Sequence, residues 1–175
     1  GSTENISKII FLIDNQKNIE FINQTNLGPA AARNKGISQA VGEYIAFLDS
    51  DDEWRQDKLK KQLDFMLKSG FLFSYTSYSI KNNGLPDKEI NLAKKNYKYP
   101  FIIFHNKIAT PTVVLHKSLL RENYFPEHVK FGEDQILWIR LSKITKLGNL
   151  NKNLANIHHD IHTTTLDFSK KIAAF

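Results

Sequence analysis

A short apolar run followed by a cluster of acids constrains the fold of this chain more than any other segment. Residues 43–48 have the sequence Glu-Tyr-Ile-Ala-Phe-Leu, and the five residues after them, Asp-Ser-Asp-Asp-Glu, include four acids. An apolar run of this length is typical of a buried strand. The acids therefore lie where a strand leaves a sheet, and in open α/β sheets ligands bind at that edge.

The three aspartates of this loop, Asp49, Asp51 and Asp52, repel one another when they are crowded together. A divalent cation with oxygen ligands relieves that repulsion. A cation held by one or two carboxylates keeps positions open for a diphosphate, so the loop suggests an enzyme that handles a nucleotide diphosphate. The alternative is a solvated turn, since Asp and Ser also favour turns through local hydrogen bonds.

Composition limits the class of protein. The chain has 175 residues, of which 41% are hydrophobic and none is cysteine. That length suits one folded domain, and the absence of cysteine excludes disulfides, thiolate metal sites and a cysteine nucleophile. The net charge of +6 suits anionic partners, but the lysines are scattered and no nucleic-acid-binding motif accompanies them. We expect the lysines on solvated faces, weak attraction to an anionic membrane surface, and no nucleic-acid binding.

Hydrophobic periodicity predicts alternating helices and strands. The predicted helices cover residues 3–13, 29–41, 55–69 and 132–144, with a further turn from Asp167. The predicted strands cover residues 18–22, 43–48, 71–80, 112–116, 146–150 and 154–159, and residues 81–97 form a long polar loop. In the helix over 55–69 the apolar face is expected to hold Leu59, Leu63, Met66 and Leu67, with the lysines opposite. The alternation favours an α/β fold with a mostly parallel sheet.

Three segments, in order along the chain, resemble the family 2 glycosyltransferases. Residues 26–36 match the pattern N-x-G-x-x-x-A-R-N-x-G, residues 47–54 match F-L-D-S-D-D-x-W, and residues 132–141 match G-E-D-x-x-L-W-x-R-L. The resemblance extends more loosely from Gly1 to about Thr165. It implies a GT-A, Rossmann-like domain that binds nucleotide-diphosphate sugars and transfers the sugar with inversion.

The resemblance also implies roles for the acidic loop and for one arginine. Asp49 and Asp51 occupy the acid positions of the D-x-D motif, with Asp52 beside them, and are expected to bind Mg2+ or Mn2+ on the donor diphosphate. The cation would offset the negative charge that develops on the leaving group. Arg33 occupies a position that the family places near the nucleotide; the alternative is an arginine on a helix surface.

Asp134 matches the family's catalytic base, with Glu133 beside it, and would take the proton from the acceptor hydroxyl. The alternative is that both acids only stabilise a helix N-terminus. His162 matches a late family histidine that approaches the metal or diphosphate, although Asp160 stands where arginine is usual. Thr110-Pro111-Thr112 loosely resembles the region near the donor sugar, and Trp54 and Trp138 are expected to be packing residues.

The chain departs from the family pattern at its N-terminal end. The first strand, helix and second strand of the family fold are absent from residues 1–175, so the sequence predicts a partial, N-terminally truncated glycosyltransferase domain. Family members of this kind build bacterial cell-surface polysaccharides on glycan or lipid-linked acceptors. The resemblance thus implies a cytoplasmic protein in peripheral contact with the inner membrane face. The alternatives are an inactive fragment retained as a fold or binding module, and a nucleotidyltransferase, which would require a Gly-rich phosphate loop near the N-terminus.

Overall fold

The computed structural model describes residues 18–82, 85–92 and 97–159. The helix predicted over residues 3–13, the turn predicted from Asp167 and the candidate ligand His162 lie outside these ranges. No helix within the described ranges is long and apolar enough to cross a membrane.

Three of the four α-helices of the described chain agree with the sequence pattern in position, and each of these is shorter than predicted at one end. The helices are α1 (Pro29–Gln39), α2 (Lys58–Ser69), α3 (Ile102–His105) and α4 (Glu133–Ile144). Pro29 opens α1 because its fixed φ suits a first helical turn. Gly70 ends α2 in a left-handed conformation with φ of 71°. The one-turn helix α3 was not predicted.

The strands of the described chain are β1 (Tyr44–Ala46), β2 (Glu53–Trp54), β3 (Phe73–Asn82), β4 (Leu85–Ile90), β5 (Val114–His116) and β6 (Leu147–His159). The strands predicted over 43–48, 71–80 and 112–116 are confirmed as elements. The two predicted over 146–150 and 154–159 are one strand, β6, which stays paired with β3 across register shifts.

Two predictions along the chain are wrong. Residues 18–22 form no strand, because none of the described strands pairs with them, and Ile19 and Phe21 are exposed. The segment 81–97 is not simply a loop. Its residues 85–90 form β4, which pairs antiparallel with β3, so a polar composition here marks a strand at the sheet margin.

The sheet is mixed, which corrects the prediction of a mostly parallel sheet. Its order is β1-β5-β3-β6-β2, with β4 beside β3. Only the β3–β6 pairing is parallel among the described strands, and the other pairings are antiparallel. A parallel pair needs a long crossover connection, and the chain from β3 to β6, which includes α4, supplies one. The α/β class itself is confirmed.

The buried face of α2 also differs from the prediction. Leu59 and Leu67 are 48% and 64% exposed, whereas Lys58, Gln62 and Met66 are buried. Helical periodicity therefore placed Met66 correctly and Leu59 and Leu67 wrongly. The inner face also holds a lysine and a glutamine, which bond to each other as described below.

An aromatic cluster joins α4 to the sheet and to the segment that follows β1. The Trp138 ring lies 5.2 Å from the ring of Phe73 and 5.8 Å from that of Phe125. The ring of Phe47, next to the acidic loop, lies 5.3 Å from Phe125 in an edge-to-face arrangement. Such pairs are favourable beyond the area that they bury. The core thus fixes the acidic loop relative to α4, and Trp138 is the packing residue that the sequence predicted.

We expect Gly148→Ala to destabilise the protein by about 1–3 kcal/mol, the usual cost of overpacking a core. A Cβ at Gly148 would lie 2.7 Å from the Phe71 ring and 3.0 Å from the Phe65 ring. Gly36→Ala is the matched control, since nothing lies within 4 Å of a Cβ there, and it should stabilise α1 by up to about 1 kcal/mol. Urea unfolding measures both changes, and an unchanged free energy of unfolding for Gly148→Ala would show that this contact is not tight.

Candidate active site

Three distant segments of the chain meet at the guanidinium of Arg33. Its Nη2 donates to both carboxylate oxygens of Asp49, at 2.8 and 3.0 Å, and its Nη1 donates to Oε1 of Glu133 at 2.8 Å. Arg33 lies on α1, Asp49 follows β1, and Glu133 opens α4. The structure therefore brings together residues from all three motifs, and Arg33 is not an arginine on an exposed helix surface.

The environment of Arg33 keeps it charged and held in place. Its side chain is only 15% exposed, and the guanidinium carbon lies 5.4 Å from the centre of the Phe125 ring. Burial opposes the charged form, but the carboxylates of Asp49 and Glu133 outweigh it, so the pKa of Arg33 is raised. Charge-assisted hydrogen bonds of this kind are stronger than neutral ones.

Asn34, the next residue of α1, anchors this part of the site. Its Nδ2 donates to the Phe125 carbonyl oxygen and to Glu127 at 2.8 Å each, and its Oδ1 accepts from the Phe125 amide at 3.0 Å. Because one amide side chain satisfies the backbone of another segment in both directions, α1 cannot shift without breaking these bonds. The sequence motif included Asn34, but its role became visible only with the fold.

Asp134 lies beside Glu133 in the first turn of α4 and is held differently. Its Oδ2 accepts from the Thr110 hydroxyl at 3.0 Å, and its Oδ1 accepts from the Gln135 amide at 2.7 Å. Burial and the neighbouring charge of Glu133 raise the pKa of Asp134. Both acids do occupy a helix N-terminus, as the alternative interpretation proposed, but each also has a specific partner outside the helix. Thr110 was quoted only as part of a loose match and is the residue that orients Asp134.

The acidic loop folds as a turn tied to the end of β6. The Asp52 amide donates to the Asp49 carbonyl oxygen at 3.1 Å, and Oδ1 of Asp52 accepts from the His158 amide at 3.0 Å. Burial raises the pKa of Asp52 to about 6, with further contributions from the charges of Asp51 and Asp49. Asp51 is exposed at the tip of the turn. The loop therefore carries negative charge that its own surroundings do not neutralise.

The donor set of this loop fits a hard divalent cation. Asp49 is engaged by Arg33, whereas in the described chain no lysine or arginine forms an ion pair with Asp51 or Asp52. Within residues 18–82, 85–92 and 97–159, no group of three His, Asp or Glu side chains is placed to hold a metal by itself. A cation on Asp51 and Asp52 would take its other ligands from water or from a diphosphate, as Mg2+ usually does.

Lys58 is buried, although the sequence predicted it on a solvated face, and its contacts support the segment that carries Thr110. Nζ of Lys58 donates to Oε1 of Gln62 at 2.9 Å and lies 4.5 Å from the centre of the Trp54 ring. Trp54 donates to the Pro111 carbonyl oxygen at 2.8 Å, and Gln62 donates to that of Thr112 at 2.9 Å. This Lys58 network connects β2 and α2 to the turn that carries Thr110.

The fold and the site define an α/β domain with a carboxylate-rich site at the end of a strand. The family model of glycosyl transferase family 2 matches residues 1–129, and the chain belongs to this family.

Two relatives of this chain are also named as glycosyltransferases. An uncharacterized glycosyltransferase of Rickettsia conorii is 40% identical over 168 residues, which are 94% of this chain and 28% of that protein. The Escherichia coli UDP-Glc:alpha-D-GlcNAc-diphosphoundecaprenol beta-1,3-glucosyltransferase WfaP is 32% identical over 171 residues, which are 97% of this chain and 66% of that protein. The chain thus spans about a quarter of the length of the Rickettsia relative.

The crystal structure of S. aureus TarS 1-349 in complex with UDP has a TM-score of 0.73 to this chain at 23% identity. The similarity covers 91% of this chain and 49% of the TarS chain. At this identity the likeness shows the fold, and it confirms the predicted GT-A architecture.

We expect Lys58 to make stability depend on pH. Burial lowers its pKa from 10.5 to about 7 in the folded protein. Between pH 7 and pH 10.5, Lys58 is protonated in the unfolded chain and mostly neutral in the folded protein. The free energy of unfolding therefore rises with pH over this range, and this added stability is absent below pH 7. Lys58→Met should abolish the rise, measured by urea unfolding from pH 7 to 9, below the range in which tyrosine titrates.

Lys68→Met is the control for this measurement, since Lys68 lies on the exposed side of α2 and the rise should persist in that variant. A rise of equal slope in Lys58→Met and the wild type would show that Lys58 is not the titrating group.

Proposed function

We propose that residues 1–175 belong to a single glycosyltransferase domain that moves a sugar from a nucleotide-diphosphate donor to a glycan or lipid-linked acceptor, with inversion and with help from Mg2+ or Mn2+. The observation that carries the proposal is the contact of Arg33 with Asp49 and Glu133. It joins the nucleotide-side motif, the acidic loop and the acid pair of α4 at one place.

The donor is proposed to lie against α1 and the acidic loop. A cleft of about 390 Å3 runs between α1 and β1, and Arg33, Ile37, Phe47 and Asp49 are among the residues that line it. The apolar side chains suit a nucleoside, while the charged ones lie at the end where a diphosphate would reach the loop. A uridine nucleotide is supported by the name of the relative WfaP and by the UDP complex of TarS.

Asp51 and Asp52 would hold the cation. When bound, the cation would supply Lewis-acid stabilisation of the negative charge that develops on the leaving diphosphate. Arg33 acts from the other side of Asp49, since it prevents that carboxylate from adding a third uncompensated charge. Its position also keeps the loop at a fixed distance from α4.

Asp134 is proposed as the base. Its carboxylate takes the proton of the acceptor hydroxyl while that oxygen bonds to the anomeric carbon, and the bond from this carbon to the diphosphate breaks on the opposite face. A raised pKa suits this role, because a base works best with a pKa near the working pH. Glu133 is bound by Arg33, so its task is positioning, and the proton passes to Asp134.

We place the reaction in the cytoplasm at the inner membrane face, within cell-surface polysaccharide synthesis. The name of WfaP describes an acceptor carried on diphosphoundecaprenol, a lipid that has to be met at a membrane. An acceptor of this kind brings the sugar hydroxyl to a protein at the bilayer surface.

Calorimetric titration with UDP, with and without Mn2+, tests the donor site. We expect binding to require Mn2+ and to weaken at least about tenfold in Asp51→Asn and in Asp52→Asn. Because the pKa of Asp52 lies near 6, protons should compete with the cation, and affinity should fall between pH 7 and pH 5. Ser50→Ala, in the same loop, is the matched control. UDP binding of equal affinity without Mn2+ would contradict the metal-dependent donor site.

Asp134→Asn separates catalysis from binding. We expect kcat to fall by roughly 10²–10⁴-fold with UDP affinity unchanged, since the variant removes only the proton acceptor. The assay uses UDP-glucose and a lipid-linked GlcNAc-diphosphate acceptor, with the product anomer read by NMR and the exposed Glu122→Gln as control. A product that retains the donor configuration would exclude a single displacement. Metal-dependent binding without transfer to any acceptor would favour the inactive binding module.

A further inference from the structure

The short helix α3 has two apolar faces, and only one belongs to the core. Ile102 is fully buried, whereas Phe101 and Phe104, on either side of it, are 61% and 69% exposed. Tyr99 and Ile103 are also exposed large hydrophobic residues. The core therefore anchors α3 through Ile102 and leaves aromatic and aliphatic side chains in solvent. Contiguous exposed apolar surface of this kind marks an interaction site.

Positive charge surrounds this apolar surface. Lys98 and Lys107 flank α3 and are exposed, and Nζ of Lys143, on α4, lies 4.9 Å from the centre of the Tyr99 ring. Residues 97–110 and 135–147 contain no Asp or Glu. We call Tyr99, Phe101, Ile103 and Phe104, together with Lys98, Lys107 and Lys143, the α3 patch.

We propose that the α3 patch docks the protein on an anionic phospholipid bilayer. Aromatic side chains favour the boundary between headgroups and acyl chains, and basic residues beside them are attracted to anionic headgroups. A protein partner would ordinarily meet such a patch with its own acids and apolar groups, but the composition here, aromatic and lysine-rich without acids, matches a lipid surface more closely. The charge complementarity selects anionic over zwitterionic lipid.

Helix α4 connects the patch to the proposed base. Helix α4 carries Lys143 of the patch near its C-terminal end and Asp134 in its first turn. At about 1.5 Å per residue the two lie roughly 14 Å apart along the helix. A bilayer at the patch would therefore lie at the opposite end of α4 from the proposed base, and a lipid-linked acceptor would have to extend over about this length of the helix to reach it. This link rests on the proposed function, whereas docking itself does not.

Vesicle sedimentation without donor or acceptor tests the docking. The intact protein should bind vesicles containing phosphatidylglycerol at low salt, bind phosphatidylcholine vesicles far more weakly, and be released at high salt. Phe101→Ser with Phe104→Ser should weaken binding at least tenfold. Lys98→Gln, Lys107→Gln and Lys143→Gln should each weaken it about fivefold.

Matched controls come from α2, which is also amphipathic. Leu59→Ser with Leu67→Ser removes apolar side chains that are 48% and 64% exposed, and Lys60→Gln with Lys68→Gln removes exposed charges. These variants should bind like the wild type. Absence of binding at low salt would overturn the proposal, as would equal losses in patch and control variants. Sedimentation velocity adds one further test. If the wild type is a dimer and Phe101→Ser with Phe104→Ser makes it a monomer, the patch binds a second copy of the chain and the proposal is overturned. Vesicle binding by a protein that lacks UDP affinity would leave docking intact and refute only the proposed function.

Discussion

The arrangement of this site depends on the guanidinium of Arg33, whose side chain is only 15% exposed. Arg33 bonds to Asp49 and to Glu133 with distances of 2.8–3.0 Å, and these acids are separated by more than eighty residues of sequence. Without a cation between them, the carboxylates of Asp49 and Glu133, whose side chains are 39% and 12% exposed, would repel each other. The guanidinium offsets both negative charges and bonds to both carboxylates, so it connects the acidic loop to α4. This connection fixes the position of Asp134 relative to the loop.

Packing and polar contacts behind the site keep this connection in place. The aromatic cluster around Trp138 holds α4 on the sheet, and Asn34 holds α1 on the backbone of Phe125. The Lys58 network continues from α2 to the turn that carries Thr110, whose hydroxyl bonds to Asp134. A buried lysine is costly unless its donors are satisfied, so its presence restricts how this part of the protein can pack. Asp49, Asp52, Glu133 and Asp134 are thus each held by a partner from another element.

The sequence predicted which residues meet at the site better than it predicted the residues that hold them in place. The acidic loop was identifiable from its residue types at the end of a strand, whereas Arg33 and Glu133 were identified through the resemblance to the family 2 glycosyltransferases. The structure brings Arg33, Asp49 and Glu133 together. The roles of Thr110, Asn34 and Lys58 depend on contacts across the fold that no local pattern encodes. Periodicity failed for Leu59 and Leu67 of α2, which lie on its exposed side, although it placed Met66 correctly. The strand directions failed because alternation along a strand does not specify which neighbour it pairs with. The roles of the acids in metal binding and catalysis remain predictions.

A double-mutant cycle on Arg33 and Glu133 tests most directly whether the contacts of Arg33 hold the site together. The cycle compares the free energies of unfolding of the wild type, Arg33→Met, Glu133→Gln and the double variant in urea. Both side chains are largely buried, at 15% and 12% exposure, so a coupling free energy of about 1–3 kcal/mol is expected. The exposed pair of Lys60 and Asp64 on α2 provides the control cycle, with coupling close to zero. Additive effects at Arg33 and Glu133 would contradict the account, because they would mean that the acidic loop and α4 are positioned independently of this arginine.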